Sequence, residues 1–179
     1  MRTRGLRWSG FVGGLVYWLF VGWSISQNTW FSFWKNALSD LGGSEANSPW
    51  IYNLGLIITS IFMFVFSVYL IFNARNKCQV IGGAYLSVSA IFLAFIGIFH
   101  EGTKPHVFVS TYFFIQFFIG ALIHGLGSRD RIRVASMILF ALAVVGSFLH
   151  WPSTATLETY EIILVMAFTL ILAMEQQVK

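Results

Sequence analysis

The chain has 179 residues, of which 57% are apolar and only 10% charged. Soluble domains carry about 25% charged residues, so this composition excludes an ordinary soluble enzyme and points to a polytopic membrane protein. A single cysteine, Cys78, excludes an internal disulfide, and a net charge of +4 set in short clusters beside apolar runs gives no sign of nucleic-acid binding.

Six apolar segments come close to the roughly 20 residues that cross a hydrocarbon core of about 30 Å. They run over about 8–26, 50–73, 79–99, 107–127, 132–150 and 157–174. The expected fold is all-α, a six-transmembrane-helix bundle forming a single integral membrane domain over 1–179. The first segment has some marks of a signal peptide: Arg2, Arg4 and Arg7, an apolar run, then Ser24-Ile25-Ser26. Its Tyr17, Trp18 and Trp23 suit an interface anchor better, and the segment is read as the first span. Gly10, Gly13 and Gly14 within it have the spacing that lets membrane helices approach closely.

A long connection, about 27–49, follows the first span. In it Trp30, Phe31, Phe33, Trp34, Ala37, Leu38 and Leu41 recur at near-helical spacing. This predicts a short amphipathic helix at the membrane surface, stopped by Gly42 and Gly43. Its polar side would show Ser32, Lys35, Asn36, Ser39 and Asp40. Two readings follow: an interfacial anchor, or a lid that presents Asn36, Ser39 and Asp40 to the mouth of the bundle.

Charge sets the orientation. With six spans the termini share a side, and that side holds Arg2, Arg4, Arg7, Arg75, Lys77, Arg129, Arg131, Arg133 and Lys179. The other side holds only Lys35 and Lys104. Positive charge collects on the cytoplasmic side of membrane proteins. The expected location is therefore the cell membrane, multi-pass, with both termini cytoplasmic.

Acids and histidines collect on the opposite, outer side. Asp40, Glu45, Glu101, Glu158 and Glu161 fall there, as do His100, His106 and His150. His124 lies 18 positions after His106, roughly 27 Å deeper along a helix. The octapeptide Phe99-His100-Glu101-Gly102-Thr103-Lys104-Pro105-His106, between the third and fourth spans, is the densest part of this set.

The stretch Asn36-Ala37-Leu38-Ser39-Asp40-Leu41-Gly42, with Ser48-Pro49-Trp50-Ile51-Tyr52-Asn53-Leu54-Gly55, resembles the signature of a family of small archaeal and bacterial membrane proteins, domain of unknown function 998. Gly97-Ile98-Phe99, with His106 opening the next helix, fits the same pattern, and His100 stands where many relatives have proline. The resemblance covers most of the chain and implies no particular activity. More loosely, the layout is similar to six-helix proteins of the Frag1/DRAM/Sfk1 type, some linked to lipid remodelling; fold alone does not give function.

The outer cluster admits several readings. In the first, His100, His106 and His150 hold a zinc ion, with Asp40, Glu101, Glu158 or Glu161 as oxygen ligands or supporting groups. Catalytic zinc uses three protein ligands and activates a water, and a carboxylate takes the proton. This gives a metal-dependent hydrolase acting on lipid, with Ser39, Asp40, Glu101 and Glu161 as catalytic candidates. Asn36, Asn53 and Ser110 would bind substrate. In the second, the protein binds or transports a lipid or small solute without chemistry, since polar groups inside spans usually face the bundle interior. Phe113, Phe114, Phe117 and Phe118 would then line a cavity. A third reading, haem between His100 and His150, rests on those two residues alone. The plain alternative is a set of wet loops, with Glu158 and Glu161 at the positive end of a helix dipole and His124 a packing residue. Membrane lipids are the partners that these readings share, and self-association is left open.

Overall fold

The computed structural model describes residues 3–175. Arg2 and Lys179, which enter the charge argument, lie outside the described residues. After a 3-10 helix at Thr3–Trp8 come six α-helices: α1 Ser9–Gln27, α2 Trp50–Phe72, α3 Lys77–Ile98, α4 His106–Leu126, α5 Asp130–Phe148 and α6 Thr154–Met174. Each is long and apolar enough to cross a membrane, counting the short 3-10 turn into α1. They match the six apolar runs to within three residues at every end. No strand occurs among the described residues. The chain is a multi-pass integral membrane protein.

Local chemistry sets the helix ends. The Asn76 side chain caps α3 by accepting the Gln79 N–H at 3.0 Å. Ser153 caps α6 by accepting the Thr156 N–H at 3.2 Å. Gly102, at φ 89°, takes the left-handed turn between α3 and α4, and Pro105 immediately precedes α4.

Glycines set how closely the helices pack. A Cβ on Gly82 would lie 2.7 Å from the Gly120 carbonyl oxygen, and one on Gly120 would lie 2.8 Å from Tyr85 Cβ. The backbones of α3 and α4 can therefore meet only because both positions lack a side chain. On α1, a Cβ at Gly10 would sit 2.9 Å from Phe66 and Thr169, one at Gly13 2.8 Å from Phe62, and one at Gly14 2.7 Å from Met166. That face of α1 receives both α2 and α6. Phe66, Phe117 and Phe168 fill the centre and are fully buried. α6 rests on α1 and α5 and touches α4 little, which leaves a gap between α4 and α6.

The first connection differs from its sequence reading. The aromatic stretch does not form an amphipathic surface helix. Turns carry the chain to one short 3-10 helix, Leu38–Gly42. Its Leu38 and Leu41 are 0% exposed, so this segment is inserted into the bundle mouth. Asn28 closes the connection. It is fully buried, and its amide donates to the carbonyls of Ser24 and Asn47 and accepts from the Asn47 N–H and the Trp30 indole. Four hydrogen bonds from one side chain satisfy its full capacity. They pin both ends of the connection together at the end of α1, and the middle folds inward.

Candidate functional site

The Thr3–Trp8 turn and the end of α6 lie at one end of the bundle, and the inserted segment closes the other, called here the far end. Three elements tie that segment down. The Glu158 carboxylate of α6 accepts the Leu38 N–H at 2.6 Å, and the Ala155 N–H donates to the Asn36 carbonyl at 2.9 Å. The Ser153 hydroxyl donates to the Phe33 carbonyl. From α2, the Asn53 amide donates to the Gly42 carbonyl at 3.0 Å. From the turn before α4, Glu101 accepts the Ser39 hydroxyl at 3.3 Å.

Glu101 also meets His106, with Oε2 at 2.9 Å from Nε2. The Nδ1 of His106 lies 2.9 Å from the Phe99 carbonyl oxygen. A carbonyl only accepts, so Nδ1 donates. One further proton must then lie between Nε2 and Glu101, on either atom. Ser39, Glu101 and His106 thus form a row of hydroxyl, carboxyl and imidazole. The row joins three parts of the chain that are far apart in sequence. Ser39 and His106 at its two ends are 5% exposed, while the carboxyl between them is 39% exposed, so the row is buried at both ends and wet in the middle.

Beneath the row runs a narrow cavity. Ser39, His106 and Glu158 line its far end, Tyr17 and Tyr52 its middle, and Gly10, Met63 and Met166 its depth. The two tyrosine hydroxyls are 3.3 Å apart, one donating to the other. Its free volume is about 60 Å³, several times the about 10–15 Å³ that one water needs. The walls below the tyrosines are almost wholly apolar.

A wider cleft of about 510 Å³ opens between α4, α5 and α6 in the half of the bundle nearer the far end. It is the gap left by the sparse α4–α6 packing. Phe114, Phe118 and Val144 line it, with Ser147 and the buried Glu161. Ser110, Phe114 and Glu158 belong to both the cleft and the cavity. These three residues stand between the two spaces.

The residues singled out in the sequence divide into two groups. Ser39, Glu101, His106, Ser110 and Glu161 face the row, the cavity or the cleft. Asp40, Asn36 and Asn53 hold the inserted segment instead. Asp40 accepts the Ala37 N–H at 2.9 Å and the Asn36 amide at 3.3 Å, and Asn36 accepts the Ser32 N–H. His100 turns its Nδ1 onto the Glu101 carbonyl at 2.8 Å. His150 is exposed past the end of α5. No group of three or more His, Cys, Asp or Glu that could hold a metal ion occurs among the described residues. Glu158, named in the sequence as a possible oxygen ligand, accepts the Leu38 N–H; Tyr17 and Tyr52 gain their place in the site only in three dimensions. The signal for Glu158 was its place in the first turns of a span, where a carboxylate needs a partner.

Comparison with known proteins gives one match. The model of a family described as Protein of unknown function (DUF998) covers residues 11–175. No curated protein and no solved structure matches the chain.

Proposed function

The chain belongs to this family of unknown function, and we propose that it binds a single membrane lipid, taken from the bilayer through the cleft between α4, α5 and α6. One observation carries the reading: Ser110, Phe114 and Glu158 line both the lateral cleft and the central cavity. An acyl chain can lie along the cleft and reach the apolar cavity without crossing water. Its headgroup then rests near Ser39, Glu101 and His106. By the positive-inside bias this end is extracytoplasmic, so the lipid comes from the outer leaflet.

The headgroup chemistry follows from charge. Asp40, Glu101, Glu158 and Glu161 collect at this end, against Lys35 and Lys104. A headgroup that offers hydroxyl or amine donors suits such acceptors better than a bare phosphate.

A second reading, hydrolysis of the bound lipid, is favoured by the Ser39–Glu101 hydrogen bond. Glu101 would take the hydroxyl proton as base while His106 orients it. The sharper version, with zinc on His100, His106 and His150, requires the exposed His150 beyond α5 to converge with the two histidines of the α3–α4 turn.

The test is lipid analysis of the purified chain in mild detergent by native mass spectrometry. The reading expects one co-purified lipid per chain, and loss of that lipid in Ser147→Trp, which fills the cleft. A wild-type chain free of lipid would overturn it. For the second reading, incubation with the identified lipid would release fatty acid, and Ser39→Ala would abolish the release.

A further inference from the structure

At the opposite end of the bundle a second and polar pocket of about 290 Å³ opens between the ends of α2, α4 and α6 and the starts of α3 and α5. Arg75, Arg129 and Arg133 line it, and Glu175 is the only acid among the lining residues. Arg133 faces Asp130 at 3.5 Å on the exposed surface, and no ion pair involves Arg75 or Arg129 among the described residues. The pocket is therefore a concentration of positive charge rather than a balanced network.

Its wall is built and rigid. The Gln79 amide donates to the Ser128 hydroxyl at 3.0 Å, and that hydroxyl donates to the His124 carbonyl at 2.9 Å. The Asn76 amide donates to the Gly127 carbonyl at 2.7 Å. These bonds lock the start of α3 against the end of α4. His124 forms part of the wall, is 5% exposed, and its Nδ1 is buried with no hydrogen-bond partner. A buried polar atom left unpaired on a residue that lines a polar pocket calls for a partner. The N-terminus of α5 starts beside it with no side-chain cap, so its first N–H groups and the helix dipole add to the attraction for an anion.

We propose that this pocket binds a phosphate group, either on the headgroup of an anionic lipid of the adjoining leaflet or free as inorganic phosphate. Guanidinium forks match phosphate oxygens, and basic pockets between helices on the cytoplasmic side are the usual seat of anionic headgroups. The site is separate from the lipid cleft at the far end and does not depend on that reading.

The experiment uses the full chain in nanodiscs, wild type beside the double variant Arg75→Gln/Arg129→Gln. Both side chains are exposed, so the fold should survive, and thermal unfolding checks that it does. In the first arm the discs contain phosphatidylcholine alone, and inorganic phosphate is titrated calorimetrically against chloride at equal ionic strength. In the second arm the discs mix phosphatidylglycerol with phosphatidylcholine, and native mass spectrometry reads the lipid retained. Saturable phosphate binding identifies free phosphate as the ligand; selective retention of phosphatidylglycerol identifies a headgroup. Either must weaken by at least about fivefold per arginine removed. Absence of both, or binding unchanged in the double variant, overturns the proposal.

Discussion

The Nε2 of His106 and the Oε2 of Glu101 lie 2.9 Å apart, on opposite sides of the turn that joins α3 to α4. Because Nδ1 already donates to the Phe99 carbonyl, the pair holds one proton between them. Glu101→Gln keeps a partner for Nε2, since the glutamine amide donates to a neutral imidazole. Glu101→Ala leaves a buried ring nitrogen unpaired, which costs about 1–3 kcal/mol. Thermal unfolding in detergent should rank the alanine variant well below the glutamine variant.

Glu158 and Leu38 make the same argument for the inserted segment. Glu158→Gln retains an acceptor for the Leu38 N–H and should lose less than about 1 kcal/mol. Glu158→Ala strands the Leu38 N–H beneath a fully buried leucine, at about 2 kcal/mol. Hydrogen exchange at Leu38 should accelerate in the alanine variant while that of α2 and α3 stays slow.

The α3–α4 contact should be the least tolerant of added bulk. Gly82→Ala places a methyl 2.7 Å from the Gly120 carbonyl oxygen, and backbone cannot move aside as a side chain end can. Overpacking of this kind costs about 1–3 kcal/mol. Gly22→Ala has open space around it and should be neutral or slightly stabilising. Denaturation midpoints of the two variants test the contrast.

Metal removal separates lipid binding from zinc chemistry. Chelator treatment of protein purified without a metal-affinity tag should leave the co-purified lipid in place. Loss of the lipid on chelation, restored by zinc and abolished by His106→Ala, would contradict the metal-free account.

Much of the fold was legible because a membrane leaves little choice: apolar runs of sufficient length must be helices that satisfy their own backbone. The inserted segment was not. Trp30, Phe31, Phe33 and Trp34 have helical spacing, but the four-bonded Asn28 closes the connection and bonds from Glu158, Asn53 and Glu101 hold Leu38–Gly42 in the bundle mouth, and long-range hydrogen bonds leave no periodic mark. Glu101 and His106 were legible as neighbours in one turn. Their link to Ser39, and that of Glu158 to Leu38, cross 62 and 120 positions of sequence. His100 and His150 share a side of the membrane with His106, yet one ring is spent on a neighbouring carbonyl and the other stands in the open. Depth along a helix can be counted from sequence; direction around its axis near a loop cannot.

Lipid occupancy of the cleft tests the central claim most directly. Native mass spectra of the purified chain should show one bound lipid in the wild type and in Ser147→Ala, and none in Ser147→Trp. Ser147 is an exposed cleft residue, so the bulky variant should still fold. Equal occupancy in the alanine and tryptophan variants, or no lipid in the wild type, would contradict the account.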